Sequence, residues 1–126
     1  MNNEDLGGYL SEIASKSERG AISWEKINSS TYRWSQAIAH GVYVVTLQKA
    51  STPERVYISN GKRIKDGGDV FLFQVFEKGR SDPIVSLSSK ERPEFYEALA
   101  KVYEGVEKGM DIVAKNVLGL LLGKGN

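Results

Sequence analysis

The last quarter of the sequence, residues 93–122, repeats charged and apolar positions with helical spacing. Three acidic residues each precede a lysine by four positions, and the pairs recur every seven residues: Glu97–Lys101, Glu104–Lys108 and Asp111–Lys115. An acid four residues before a lysine stabilises a helix. Apolar residues with the same repeat, away from the charged side, are Leu99, Val106, Val113 and Leu120. This pattern predicts a long amphipathic C-terminal helix at about residues 90–122.

The length of this predicted helix exceeds the size of the domain that carries it. A helix over residues 93–122 measures about 45 Å, whereas a compact domain of this chain length is roughly 35 Å across. Gly105 and Gly109 favour a break, because each interior glycine costs about 1 kcal/mol relative to alanine. The charge pairs nevertheless stay in phase beyond Gly109, so we expect a continuous helix with a projecting end. Two shorter helices are the alternative.

The end of the predicted helix is apolar on every side, as is typical of a buried helix. Its own domain is too short to cover it, so we expect a second copy or another protein to do so. The predicted partner-binding residues are Met110, Val113, Val117, Leu118, Leu120, Leu121 and Leu122. A membrane-surface anchor is a weaker interpretation of this segment, because such anchors carry many basic residues and only Lys115 and Lys124 are near it.

The rest of the chain predicts one short helix followed by strands. Leu6, Tyr9, Leu10 and Ile13 have helical spacing, which predicts a helix at about residues 5–18 that packs on the sheet as a lid. Turn signals occur at His40-Gly41, Asn60-Gly61, residues 51–54 and residues 66–69. The predicted strands are residues 22–27, 31–39, 42–49, 55–59, 62–65, 70–76 and 84–87. Residues 70–76 are apolar at most positions, which predicts a central strand covered on both faces.

These elements predict one α+β domain over residues 1–126. Short connections favour an antiparallel meander of about five to seven short strands, with the short N-terminal helix and the long C-terminal helix packed on the sheet. The order of elements also resembles a pleckstrin-homology-like barrel closed by its C-terminal helix, which is the alternative fold. From Thr31 onward, four strands and a helix resemble single-strand-binding Whirly modules in element order alone.

The sequence offers little for catalysis. It contains no cysteine and one histidine, His40, which precedes a glycine at a predicted turn. Phosphate-binding glycine motifs and carboxylate clusters with calcium-loop spacing are absent from the sequence. We therefore expect no enzymatic activity, no cofactor and no metal.

Two functions from different classes remain open. The first is a non-catalytic protein-interaction module that associates through its C-terminal helix, most simply as a homodimer. The second is single-stranded nucleic-acid binding on a basic and aromatic sheet face. The residues proposed for that face are Arg33, Arg55, Tyr57, Lys62, Arg63 and Lys65. These cations are also typical of edge hairpins that resist aggregation, and the chain's 17 basic and 16 acidic residues provide no general attraction to nucleic acid.

Location is predicted by the absence of membrane and export signals. The first residues are acidic and no apolar run follows them, unlike a secretory signal peptide. The most apolar segment, residues 112–122, is shorter than the roughly 20 residues that span a bilayer. We expect a cytoplasmic protein.

Overall fold

The structure, a computed structural model, describes residues 1–124 as five strands with a helix before and after them. The elements are α1 (Asn3–Glu18), β1 (Glu25–Asn28), β2 (Thr31–Ile38), β3 (Gly41–Ser59), β4 (Lys62–Glu77), β5 (Val85–Ser88), a 3₁₀ turn (Pro93–Phe95) and α2 (Tyr96–Leu121). The strands form one antiparallel sheet in chain order, which confirms the α+β meander. The barrel alternative is wrong, because β1 and β5 remain separate edges and closure requires them to pair.

The core lies between one face of the sheet and α2. Alternation along the strands directs one set of side chains to this face. Its buried members are Tyr32, Val45, Leu47, Phe71, Phe73 and Leu87. They form one cluster with Leu99, Val102 and Val106 of α2, which are fully buried. Each such side chain contributes roughly 1.5–3 kcal/mol on burial, so the first half of α2 is held by the sheet.

The opposite side of the sheet, called here the open face, has no helix on it. Its strand residues are Thr31, Arg33, Ser35, Ala37, Val42, Val44, Thr46, Gln48, Ala50, Val70, Leu72, Gln74, Phe76, Ser86 and Ser88. Val44 pairs directly with Phe76, and both side chains are only half-buried. The prediction that residues 70–76 are covered on both faces is therefore wrong. Both helices lie on the other side, so the apolar residues of β4 alternate between a buried and an uncovered surface.

Helix α1 packs mainly along α2 and not on the sheet as predicted. A Cβ on Gly109 would lie 1.8 Å from the Ser17 carbonyl oxygen, and one on Gly105 would lie 2.7 Å from the Ala14 carbonyl oxygen. These two glycines therefore allow direct contact between the helix backbones. The start of α1 is capped by Asn2, whose side-chain oxygen accepts a hydrogen bond from the Asp5 backbone N–H at 2.9 Å.

The segment between α1 and β1 enters the core before the sheet begins. The Trp24 indole N–H donates to the Ser17 hydroxyl at 2.8 Å, and both side chains are buried. This contact draws Trp24 towards the helices, so β1 begins at Glu25 and not at Ile22 as predicted. The turn between β2 and β3 lies one residue earlier than predicted. It consists of Ala39 and His40, and Ile38 pairs with Gly41.

Strands β3 and β4 continue beyond the core as a two-stranded extension, residues 51–69, called here the β-arm. None of its residues is buried. The chain does not reverse direction at the predicted loop 51–54 or at the predicted turn 66–69, so both predictions are wrong. The two segments lie opposite each other in one long hairpin, where the strand pairing is irregular. A Cβ on Gly67 would lie 2.1 Å from the Pro53 carbonyl oxygen, so the pairing there leaves no room for a side chain at position 67.

Candidate interaction surfaces

Helix α2 leaves its own domain after its first half. It runs without a break from Tyr96 to Leu121, which confirms the continuous helix predicted through Gly109. Residues 110–122 are called here the α2 tail. Met110 and Gly119 are partly buried and every other tail residue is exposed. The sheet and α1 end beneath the first half of α2, so the tail is a helix without a covering layer.

Two of the three acid–lysine pairs of the sequence form ion pairs on this helix, and Glu97–Lys101 does not. Lys108 lies 3.8 Å from Glu104, and Lys115 lies 3.1 Å from Asp111. Lys108 also lies 3.8 Å from Glu18 of α1. Exposed pairs four residues apart stabilise a helix by a few tenths of a kcal/mol each, and the Asp111–Lys115 pair does so within the tail itself.

The apolar stripe that binds the sheet continues along the tail. Val106 is fully buried and Met110 is partly buried. Beyond them the exposed fraction rises from 48 % at Val113 and 49 % at Val117 to 65 % at Leu120. Positions three and four apart share one side of a helix, so these residues extend the core-facing stripe into solvent.

The remaining predicted partner-binding residues surround the stripe. Leu118, Leu121 and Leu122 are all exposed, and Leu121 retains 75 % of its accessible surface. Met110 and Val113 stand closer to their own domain, where they line a cavity of about 180 Å³ with Gly20, Ile22, Ser23, Trp24 and Gly109. The seven predicted residues therefore occupy one end of the molecule.

The six residues proposed for nucleic-acid binding are not brought together on one face. Five of them lie on the β-arm, whose register places Arg55, Tyr57 and Lys62 on one side and Arg63 and Lys65 on the other.

Arg33 lies apart from these five, on the open face. It pairs with Thr46, nine residues before Arg55 along β3, a separation of roughly 30 Å in an extended strand. Its guanidinium contacts Glu25 at 3.1 Å.

The open face itself has few groups that bind single strands. Among its strand residues, Arg33 is the one cation and Phe76 the one aromatic side chain. Single-strand platforms combine several stacking aromatics with basic side chains. The sequence prediction missed this surface. The sequence feature that could have revealed the open face is β4. Its apolar residues point to both faces of the sheet, whereas the two helices of the chain cover only one face.

A pair of tyrosines joins the sheet to α2 at the buried edge of the core. The rings of Tyr32 and Tyr103 meet edge to face with centroids 5.3 Å apart, and the Lys49 ammonium lies 4.8 Å from the Tyr103 ring. Burial, with the Glu107 carboxylate second, raises the pKa of Tyr32 to about 12 and also raises the pKa of Tyr103. Both hydroxyls are therefore neutral at ordinary pH.

A large cavity lies where the β-arm meets the start of α2. It has a volume of about 960 Å³, and its charged lining residues are Arg55, Lys65, Asp66, Asp69 and Lys90. Across residues 1–124, no group of three or more histidine or carboxylate side chains is arranged to hold a metal ion. No helix in that range is long and apolar enough to cross a membrane.

Comparison of the chain with family models, with curated proteins and with solved structures finds no match. The proposals below therefore rest on the physical properties of the α2 tail and the β-arm.

Proposed function

We propose that this protein is a non-catalytic interaction module that associates with a second copy of itself through the α2 tail. One observation carries the proposal: the stripe that buries Leu99, Val102 and Val106 against the sheet continues, exposed, through Val113, Val117 and Leu120. A helix that keeps its core-facing pattern beyond its core is typical of one that packs against a partner.

The energy available from this surface is adequate for a dimer. Burying an apolar side chain that is half-exposed contributes on the order of 1 kcal/mol, about half of its full transfer value. A two-fold interface uses every contact twice, so the tail residues of two chains together contribute on the order of 10 kcal/mol before the entropic cost of association. The cost of association is at least about 4 kcal/mol, so at most about 6 kcal/mol remains, which corresponds to a dimer that dissociates below tens of micromolar protein.

The charge distribution favours a second copy as the partner. The charged residues of the tail are Asp111 and Lys115, which pair with each other at 3.1 Å. At 100° per residue both lie on the side opposite to Val113, Val117 and Leu120. Two tails can therefore meet stripe to stripe without opposing like charges, and neither stripe demands a charged partner.

The test changes the stripe without shortening the chain. We expect the double variant V117N/L120N to be a monomer in sedimentation equilibrium at concentrations where the unaltered protein is a dimer. The matched control is I38N/I84N, which removes two apolar side chains of similar exposure, 55 % and 58 %, from the sheet region. The control should remain dimeric. Equal molar masses for both variants and the unaltered chain would count against the tail as the interface.

A further inference from the structure

Charge is segregated along the β-arm, with four cations in its outer part and the acidic residues Glu54, Asp66 and Asp69 at its base. Its outer part, residues 55–65, contains Arg55, Lys62, Arg63 and Lys65 and no acidic residue. The rest of the chain then has 13 basic and 16 acidic residues, against 17 and 16 for the whole. A nearly neutral protein thus carries one projecting, strongly basic element, which points to a polyanionic partner.

The cations of the arm are divided between its two faces. The pairs Arg55–Asp66, Tyr57–Ile64 and Ser59–Lys62 occupy one face. The pairs Val56–Lys65 and Ile58–Arg63 occupy the other. Each face therefore presents two cations and two apolar side chains, of which Ile58 is 78 % exposed. One cation on each face has an acidic neighbour: the Lys65 ammonium lies 3.3 Å from the Glu54 carboxylate, and Asp66 stands opposite Arg55. A ribbon that is basic on both sides suits a slot with two negative walls better than a single flat surface.

The major groove of a nucleic-acid duplex is such a slot. It is about 12 Å wide and admits a two-stranded ribbon, and a ribbon with side chains on both faces is roughly 10 Å thick. The phosphates of the two strands form its walls. We propose that the β-arm enters the major groove of duplex DNA tip first. Ser59 and Asn60 then face the base edges, and Lys62 and Arg63 face the phosphates of opposite strands.

The order of side chains along the arm separates this partner from a lipid surface. The tip is polar and charged, Ser59-Asn60-Gly61-Lys62-Arg63, and the apolar residues Val56, Tyr57 and Ile58 lie behind it. An element that inserts into a bilayer carries its apolar residues foremost. Single strands also fit less well, because one backbone cannot engage both basic faces. The inference does not depend on self-association.

The experiment measures binding of the full chain to a fluorescein-labelled 20-base-pair duplex by anisotropy. Three to four phosphate contacts predict that affinity falls roughly 40- to 150-fold between 50 and 200 mM salt. The variant R55Q/K62Q/R63Q/K65Q should lose most of the affinity and most of the salt dependence. The charge-retaining variant R55K/R63K should keep both, which separates loss of charge from damage to the arm.

The matched control changes the same amount of charge elsewhere. Arg19, Lys78, Lys101 and Lys124 are exposed and lie outside the ion pairs of residues 1–124. R19Q/K78Q/K101Q/K124Q should bind the duplex within about threefold of the unaltered chain.

Four results would overturn the proposal. They are no duplex binding at 50 mM salt, equal losses in the arm and control variants, tighter binding of a single strand of the same length, and binding of anionic phosphatidylserine vesicles in place of the duplex.

Discussion

Gly109 of α2 and Ser17 of α1 approach so closely that a Cβ on the glycine would lie 1.8 Å from the serine carbonyl oxygen. This contact sets the position of α1 against α2, and it does so at the point where α2 leaves the domain. The glycine that most favours a helix break in the sequence therefore serves helix packing in the structure.

Substitution G109A should destabilise the fold although alanine is the better helix former. The propensity gain of about 1 kcal/mol is smaller than the overpacking cost of about 1–3 kcal/mol, because backbone atoms must separate. Urea denaturation measures the change. The control is G119A, where the new Cβ would meet its nearest atom at 3.6 Å. G119A should be neutral or slightly stabilising, and the same destabilisation in both variants would contradict the assignment of Gly109 to the helix contact.

Substitution S17A should destabilise the protein by about 1–3 kcal/mol, because it leaves the buried Trp24 indole N–H without its acceptor. The double variant S17A/W24F removes donor and acceptor together. In a W24F background, S17A should therefore change the free energy of unfolding much less than it does in the unaltered protein. Denaturation of the four chains in a double-mutant cycle measures the coupling, and strictly additive losses would show that the hydrogen bond contributes nothing.

Stability should fall at alkaline pH because of Tyr32. Its folded pKa is raised to about 12 from an ordinary value of 10.0, so the folded state favours the protonated hydroxyl. The contribution is fully present below pH 10 and is lost as the pH rises towards 12. Within that window Tyr32 alone should lower the free energy of unfolding by about 1.4 kcal/mol per pH unit. Chemical denaturation between pH 10 and 12 measures this slope, and Y32F should make it shallower. An unchanged slope would show that Tyr32 titrates normally.

The irregular pairing at the base of the β-arm should depend on Gly67 for two reasons that can be separated. Its φ of +88° is unfavourable for alanine by roughly 1–2 kcal/mol, and its Cβ would also collide with the Pro53 carbonyl oxygen at 2.1 Å. Gly61, at the tip of the arm, has φ +74° with open space around it, so G61A reports the backbone cost alone. Amide exchange of residues 51–69 should accelerate more in G67A than in G61A. Normal protection of the arm in G67A would contradict the tight approach.

The sequence predicted much of the fold because its strongest signals are local. Helical phase from Glu97 to Lys115 predicted a continuous α2, and Asn60-Gly61 predicted the tip of the β-arm. The errors have a common cause in contacts between distant residues. Trp24 leaves the predicted first strand because it bonds Ser17, and residues 51–54 extend as strand because residues 66–69 pair with them. Neither contact can be inferred from the residues on either side of it in the sequence.

The candidate surfaces were predictable to different degrees. The exposed α2 tail was predicted by comparing the length of the helix with the diameter of the domain, and this comparison requires no knowledge of tertiary contacts. The division of Lys62 from Arg63 and Lys65 across the β-arm depends on register, and Arg33 is separated from them by distance along β3. The open face was missed because an apolar strand looks the same in sequence whether one or both of its faces are covered.

Self-association through the α2 tail is tested most directly by the molar mass of the full chain in solution. Sedimentation equilibrium up to several hundred micromolar protein (roughly ten times the expected dissociation constant) should give a mass that rises with concentration towards twice the monomer mass of 13.9 kDa, and a chain ending at Asn116 should give a folded monomer. A full-length protein that remains at 13.9 kDa at every concentration, with stability equal to that of the shortened chain, would contradict the account.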